Sequence, residues 1–118
     1  MEEKLQILKD AKEYIDRLNE GILIIIDNIR GGKLNKAYQL FIQVIEGLEW
    51  LCDIITLTQD VQEDKMKVED IKELSLEMIE AMENKDNVLL ADLLEYELID
   101  RLNIWKEQLI INIKQNRL

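Results

Sequence analysis

Residues 8–32 read LKDAKEYIDRLNEGILIIIDNIRGG, and the fold is legible from how this stretch is built and then repeated. Leu8, Ala11, Ile15, Leu18, Ile22, Ile25 and Ile29 recur at alternating steps of three and four. A helix turns once in about 3.6 residues, so these side chains lie in one apolar stripe. The stripe predicts a first helix over about 2–30. Gly31-Gly32 ends it, because glycine takes up the left-handed backbone that closes a helix.

The same period continues beyond the glycines. Ala37, Leu40, Val44, Leu48, Leu51 and Ile55 predict a second helix over about 33–57. Asp60 and Glu63 have the spacing of a capping box, which places the start of a third helix at 60. Its stripe is Val61, Val68, Ile71, Ser75, Met78 and Met82, and it ends in the polar run at 84–87. Asp86 caps a fourth helix over about 87–115, with the stripe Ala91, Leu94, Leu98, Leu102, Trp105 and Leu109. Helices one and three correspond at an offset of 53, and helices two and four at 54, pairing Ala37 with Ala91, Leu40 with Leu94 and Leu48 with Leu102. One such hairpin cannot cover its own apolar face. The expectation is all-α, a single domain over 1–118: an antiparallel up-down-up-down four-helix bundle made of two helical hairpins.

Composition agrees with this and narrows the chemistry. The chain has 118 residues, 47% of them hydrophobic and 34% charged, which is enough for a core and too apolar for a disordered acidic tail. It has four glycines and no proline, so sheet and turn chemistry is scarce. With no histidine, Ser-His-Asp catalysis, zincin sites and Glu-x-x-His di-iron ligation are excluded. The single Cys52 has no partner for an internal disulfide and suits a reducing compartment, so the expected location is cytoplasmic. The longest apolar run, 22–26, is far short of the roughly 20 residues that cross a bilayer. A net charge of -10 repels phosphate backbones and anionic lipid, so neither nucleic acid nor membrane is an expected partner. Much of that charge lies in 58–86, which carries ten acids and four bases. Such a stretch is either a solvated outer face or a surface that steers a basic partner.

Four features invite functional readings. Glu46-Gly47-Leu48-Glu49 and Glu97-Leu98-Ile99-Asp100 place paired carboxylates on helix faces, the donor type a hard cation prefers. They resemble the metal motif of the all-α nucleotide pyrophosphohydrolases of the MazG type, a resemblance that implies Mg²⁺-dependent nucleotide hydrolysis. The match spans eight residues. It departs from the family in the long separation of its two halves, and the core stripes turn Glu46 and Asp100 outward. No catalytic, cofactor-binding or metal-binding residue is therefore expected. Gly47, inside a helix, costs about 1 kcal/mol relative to alanine, which points to a close approach by a neighbouring helix; Gly21 invites the same argument. Cys52, beside the Leu51–Ile55 stripe, reads as a small buried hydrophobe.

The fourth feature is apolar residues off the main stripes: Ile7 and Tyr14 on the first helix, and Trp50, Ile54 and Leu57 on the second. In a hairpin that turns at 31–32, paired positions sum to about 63, so the two sets are neighbours. They either widen the core or form a partner or dimer face.

Residues 78–86, Leu90–Leu94 and 100–107 form an amphipathic helix, an Asn-Lys-Asp turn and a closing helix that ends near Trp105. This pattern resembles the C-terminal helices of flagellar export chaperones of the FliS kind, and 28–44 resembles their earlier hairpin. The resemblance implies a small acidic bundle that shields an amphipathic helix of a partner and uses no cofactor. The expected function is thus a non-catalytic protein-binding bundle, a chaperone or adaptor; the alternative is a self-associating bundle, with a homodimer as its product.

Overall fold

The stripe read from residues 8–29 is the buried edge of α1 (Glu2–Arg30), where Leu8, Ala11, Ile15, Ile22 and Ile25 are fully enclosed. The computed structural model describes residues 2–116. After α1 come α2 (Leu34–Leu57), α3 (Glu69–Glu83) and α4, which runs over 87–115. They pack as an antiparallel up-down four-helix bundle about 49 Å long and 22 by 19 Å across. Helix α1 packs on α2 along one flank and on α4 along the other, while α3 lies against α4 and, more loosely, against α2.

The two hairpin turns have one design. At the first, Lys33 N–H donates to the Asn28 carbonyl (2.8 Å) and Gly32 N–H to the Ile29 carbonyl (3.1 Å), with Gly32 at φ +77°. At the second, Asp86 N–H donates to Ala81 (2.8 Å) and Lys85 N–H to Met82 (3.0 Å), with Lys85 at φ +56°. Both satisfy the last helical carbonyls through a left-handed residue, the Schellman arrangement. Residues 32 and 85 stand at the offset of 53 that relates α1 to α3. Asp86 caps α4 as expected, accepting from the Leu89 amide at 3.2 Å.

Helix α4 explains why the second pair of helices is offset by one residue more. It consists of α-helical Asn87–Asp92, π-helical Leu93–Leu98 and α-helical Ile99–Gln115, with helical backbone angles at both junctions. A π turn holds one extra residue without breaking the helix. At its start, Phe41 corresponds to Leu94 at offset 53, both fully buried; from its last residue onward, Val44, Leu48 and Leu51 correspond to Leu98, Leu102 and Trp105 at offset 54. The expected pairing of Leu40 with Leu94 is thereby corrected. Leu40 is half-buried, and Phe41 takes the core position.

Helix α3 departs furthest from expectation. It begins at Glu69 rather than 60, and the Asp60–Glu63 capping box does not form. Residues 59–61 make one turn of 3-10 helix, and Asp60 instead pairs with Lys4 at 2.7 Å. A helix through 60–68 would have put Asp64 and Lys65 on the core side, where the stripe between Val61 and Val68 has no apolar residue. The segment is held instead by side-chain amides. Buried Gln62 donates to the Ile55 carbonyl (2.9 Å) and accepts from Met66 N–H (2.9 Å). Fully buried Asn112 grips Asp64 by both its backbone N–H (3.2 Å) and its carbonyl (3.1 Å). Met66 is thereby tucked into the core. Within α3 the buried face is Ile71, Leu74, Met78 and Ala81, so Ser75 and Met82 stand half-buried at its edge.

Candidate functional site

Helix α2 carries the features that the bundle itself does not use. In its 24 residues only Lys36, Glu46, Glu49 and Asp53 are charged. A helix so apolar around its circumference ordinarily lies inside a larger core. Here one face is in the core, while Ile42 (49%), Trp50 (42%) and Leu57 (70%) stand exposed on the others.

On the side facing α1, Gly47 is buried, and a Cβ added to it would overlap the Tyr14 hydroxyl and lie 3.2 Å from Leu18 Cδ2. The missing side chain is what lets Tyr14 lie across α2. The Tyr14 ring meets Trp50 edge-on, with centroids 5.2 Å apart and planes at 75°, and the Arg17 guanidinium sits 5.6 Å from the Tyr14 centroid. Aromatic pairs favour this crossed geometry because a positive ring edge meets a negative face. Gly21 needs no such explanation: nothing lies within 4 Å of a Cβ placed there. It borders instead an open groove of about 200 Å³ between α1 and α2, bounded by Tyr14, Ile24, Leu40 and Gln43.

The five off-stripe residues are divided by the structure. Tyr14 and Trp50 are brought into contact at the level that the hairpin sum of about 63 requires. Ile54, like Tyr14, is partly buried and packed against the core, so it forms the wall of the patch rather than its open surface. Trp50 and Leu57 are exposed, and Ile7 is half-buried.

On the other side, facing α3, lies a wider seam of about 470 Å³ that the off-stripe reasoning missed. Its floor includes Leu48 and Cys52, and its walls are Ile45, Ile79 and Leu76, the last 68% exposed. Glu49, Asp53 and Lys72 stand on its rim. The available signal was the side of α2 on which Ile42, Ile45 and Cys52 line up. Cys52 is 4% exposed, and burial pushes its thiol above the ordinary value of 9.0, with Asp53 and Glu49 adding and Lys72 opposing. As expected, it occupies the place of a small hydrophobe.

The carboxylate motifs do not converge. Glu46, Glu49 and Asp100 are exposed, and Glu97 accepts from Arg101 Nη2 at 3.2 Å. Among the described residues no group of three acids or thiols is arranged to hold a metal ion. Likewise, no helix among them is long and apolar enough to cross a membrane.

Fold and surface together define a small acidic helical bundle with uncovered apolar flanks on one helix. Residues 6–108 match the family model described as a domain of unknown function (DUF8042), and the chain belongs to that family. The match takes in both flanks of α2. No curated protein and no solved structure matches the chain.

Proposed function

We propose that the chain is a non-catalytic protein-binding bundle, a chaperone or adaptor of the cytoplasm, that covers an apolar helix face of a partner. The observation that carries this reading is α2, nearly free of charge yet placed at the surface with Trp50, Leu57 and Ile42 exposed. Aromatic anchors beside a groove are typical of interface centres, and Tyr14 holds Trp50 in place from the side. The free thiol accords with a reducing compartment, and the net charge of -10 argues against nucleic acid or anionic lipid as the ligand.

The test uses exposed positions whose replacement spares the core. Trp50→Ala and Leu57→Asp are expected to keep the melting midpoint within a few degrees while reducing recovery of a partner on the immobilised chain by tenfold or more. Unchanged recovery by both variants would overturn the reading. A concentration-dependent dimer that both variants dissolve, with no other protein recovered, would replace it with self-association. Mg²⁺-dependent release of pyrophosphate from nucleotides, lost on Glu49→Gln, would replace it with hydrolysis.

A further inference from the structure

We propose that the α2–α3 seam docks an amphipathic helix of a partner whose apolar stripe is flanked by Lys and Arg. This rests on the protein-binding reading but concerns a different face from the Trp50 patch. The seam runs along Lys72–Ile79 of α3 and Ile45–Asp53 of α2, about 12 Å at 1.5 Å per residue, which gives a docked helix about two turns of contact. Its floor and walls are apolar, and Leu76 is 68% exposed at its lip. The seams that α4 makes are bridged by ions: Arg30 reaches Glu95 and Lys106 reaches Asp16 between α1 and α4, and Arg101 reaches Asp70 between α3 and α4. Among the described residues no ion pair crosses from α2 to α3, although Glu49, Asp53 and Lys72 stand on that rim. Glu46 is exposed nearby on α2.

Charge selects the occupant. The segment 58–86, which includes α3, carries ten acids against four bases, and α2 adds three acids against one base. A second copy of this chain would bring its own net charge of -10 to the same rim. A helix with basic flanks pairs with Glu49 and Asp53 while its stripe covers Leu76 and Ile79.

The experiment uses the full chain and two synthetic 18-residue helices with the same leucine stripe, one flanked by lysines and the other by glutamates. Calorimetry measures affinity, and alkylation of Cys52 on the seam floor reports where the peptide sits. We expect the lysine peptide to bind at least tenfold more tightly than the glutamate one and to slow Cys52 alkylation by fivefold or more. Leu76→Glu, at an exposed position, is expected to lower affinity tenfold with the melt unchanged, and Val88→Ala, at an exposed position of α4 outside the seam, to leave it unchanged. Equal affinity for both peptides, no binding of either, or unslowed alkylation would each overturn the proposal. So would a dimer that Leu76→Glu dissolves. Binding lost on Trp50→Ala and kept on Leu76→Glu overturns the seam and leaves the protein-binding reading standing, whereas that reading fails separately if partner recovery ignores the Trp50 patch.

Discussion

Two glycines of the same sequence type have opposite roles, and substitution separates them. Gly21 has open space where a side chain would go, so Gly21→Ala should gain about 1 kcal/mol from helix propensity alone. At Gly47 the added methyl meets Tyr14 and Leu18, and overpacking of this kind costs about 1–3 kcal/mol. We expect Gly47→Ala to be less stable than Gly21→Ala by about 2 kcal/mol in denaturant unfolding; equal stabilities would mean that Tyr14 does not lie across α2. Lys85 offers a cleaner gain. It holds the left-handed conformation that Gly32 holds in the other turn, and a non-glycine residue there costs roughly 1 kcal/mol or more. Lys85→Gly should therefore raise the melting midpoint by roughly 4 °C. No gain would show that the lysine side chain compensates its backbone.

At the scale of elements, the π turn predicts an unusual tolerance. Deleting exposed Tyr96 from within 93–98 removes the extra residue, so a regular helix can still align Leu94 with Leu98 and Leu102. Deleting exposed Glu13 from α1 instead rotates everything before it by about 100°, taking Leu8 and Ala11 out of the core. The first variant should melt cooperatively near the parent midpoint, and the second should lose its transition. Equal damage from both would mean that the π turn is not the site of the surplus residue. The mismatch was legible beforehand as the offsets 53 and 54, but the residue that absorbs it was not, since a π turn leaves the three-four stripe nearly intact. Helices α1, α2 and α4 were readable to within a residue because each carries its own period. The start of α3 was not, because Gln62 and Asn112 hold 62–66 through buried amide contacts, one spanning 48 residues of sequence. At the candidate site, the Tyr14–Trp50 neighbourhood followed from hairpin arithmetic alone. The α2–α3 seam did not, since it depends on where α3 begins and how loosely it sits.

Over the whole molecule, polar ties and apolar openings lie on opposite sides. Arg30 donates to Glu95 through both terminal guanidinium nitrogens, Nη1 and Nη2, at 3.0 Å, and Asn19 donates to Asn103 at 3.0 Å, so the α1–α4 side is fastened by side chains. The hydrogen bond from Arg30 holds the Glu95 carboxyl below its ordinary value of 4.5. A carboxylate depressed on folding contributes stability above its unfolded value and loses it as pH falls through the folded one. The difference in midpoint between the parent and Glu95→Gln should thus be present at neutral pH and shrink below pH 4.5, and added salt should shrink it too. A difference independent of pH would assign the effect to packing. On the opposite side, α2 makes no ion pair among the described residues, and the two tryptophans diverge: Trp50 is 42% exposed against Tyr14, while Trp105 is 5% exposed in the core. The chain therefore carries an optical gauge of its own. Acrylamide quenches the emission of Trp50 and spares that of Trp105, and with Trp105 replaced by Phe the remaining signal comes from the patch alone. A blue shift of that emission reports, without any label, the moment at which water leaves the indole.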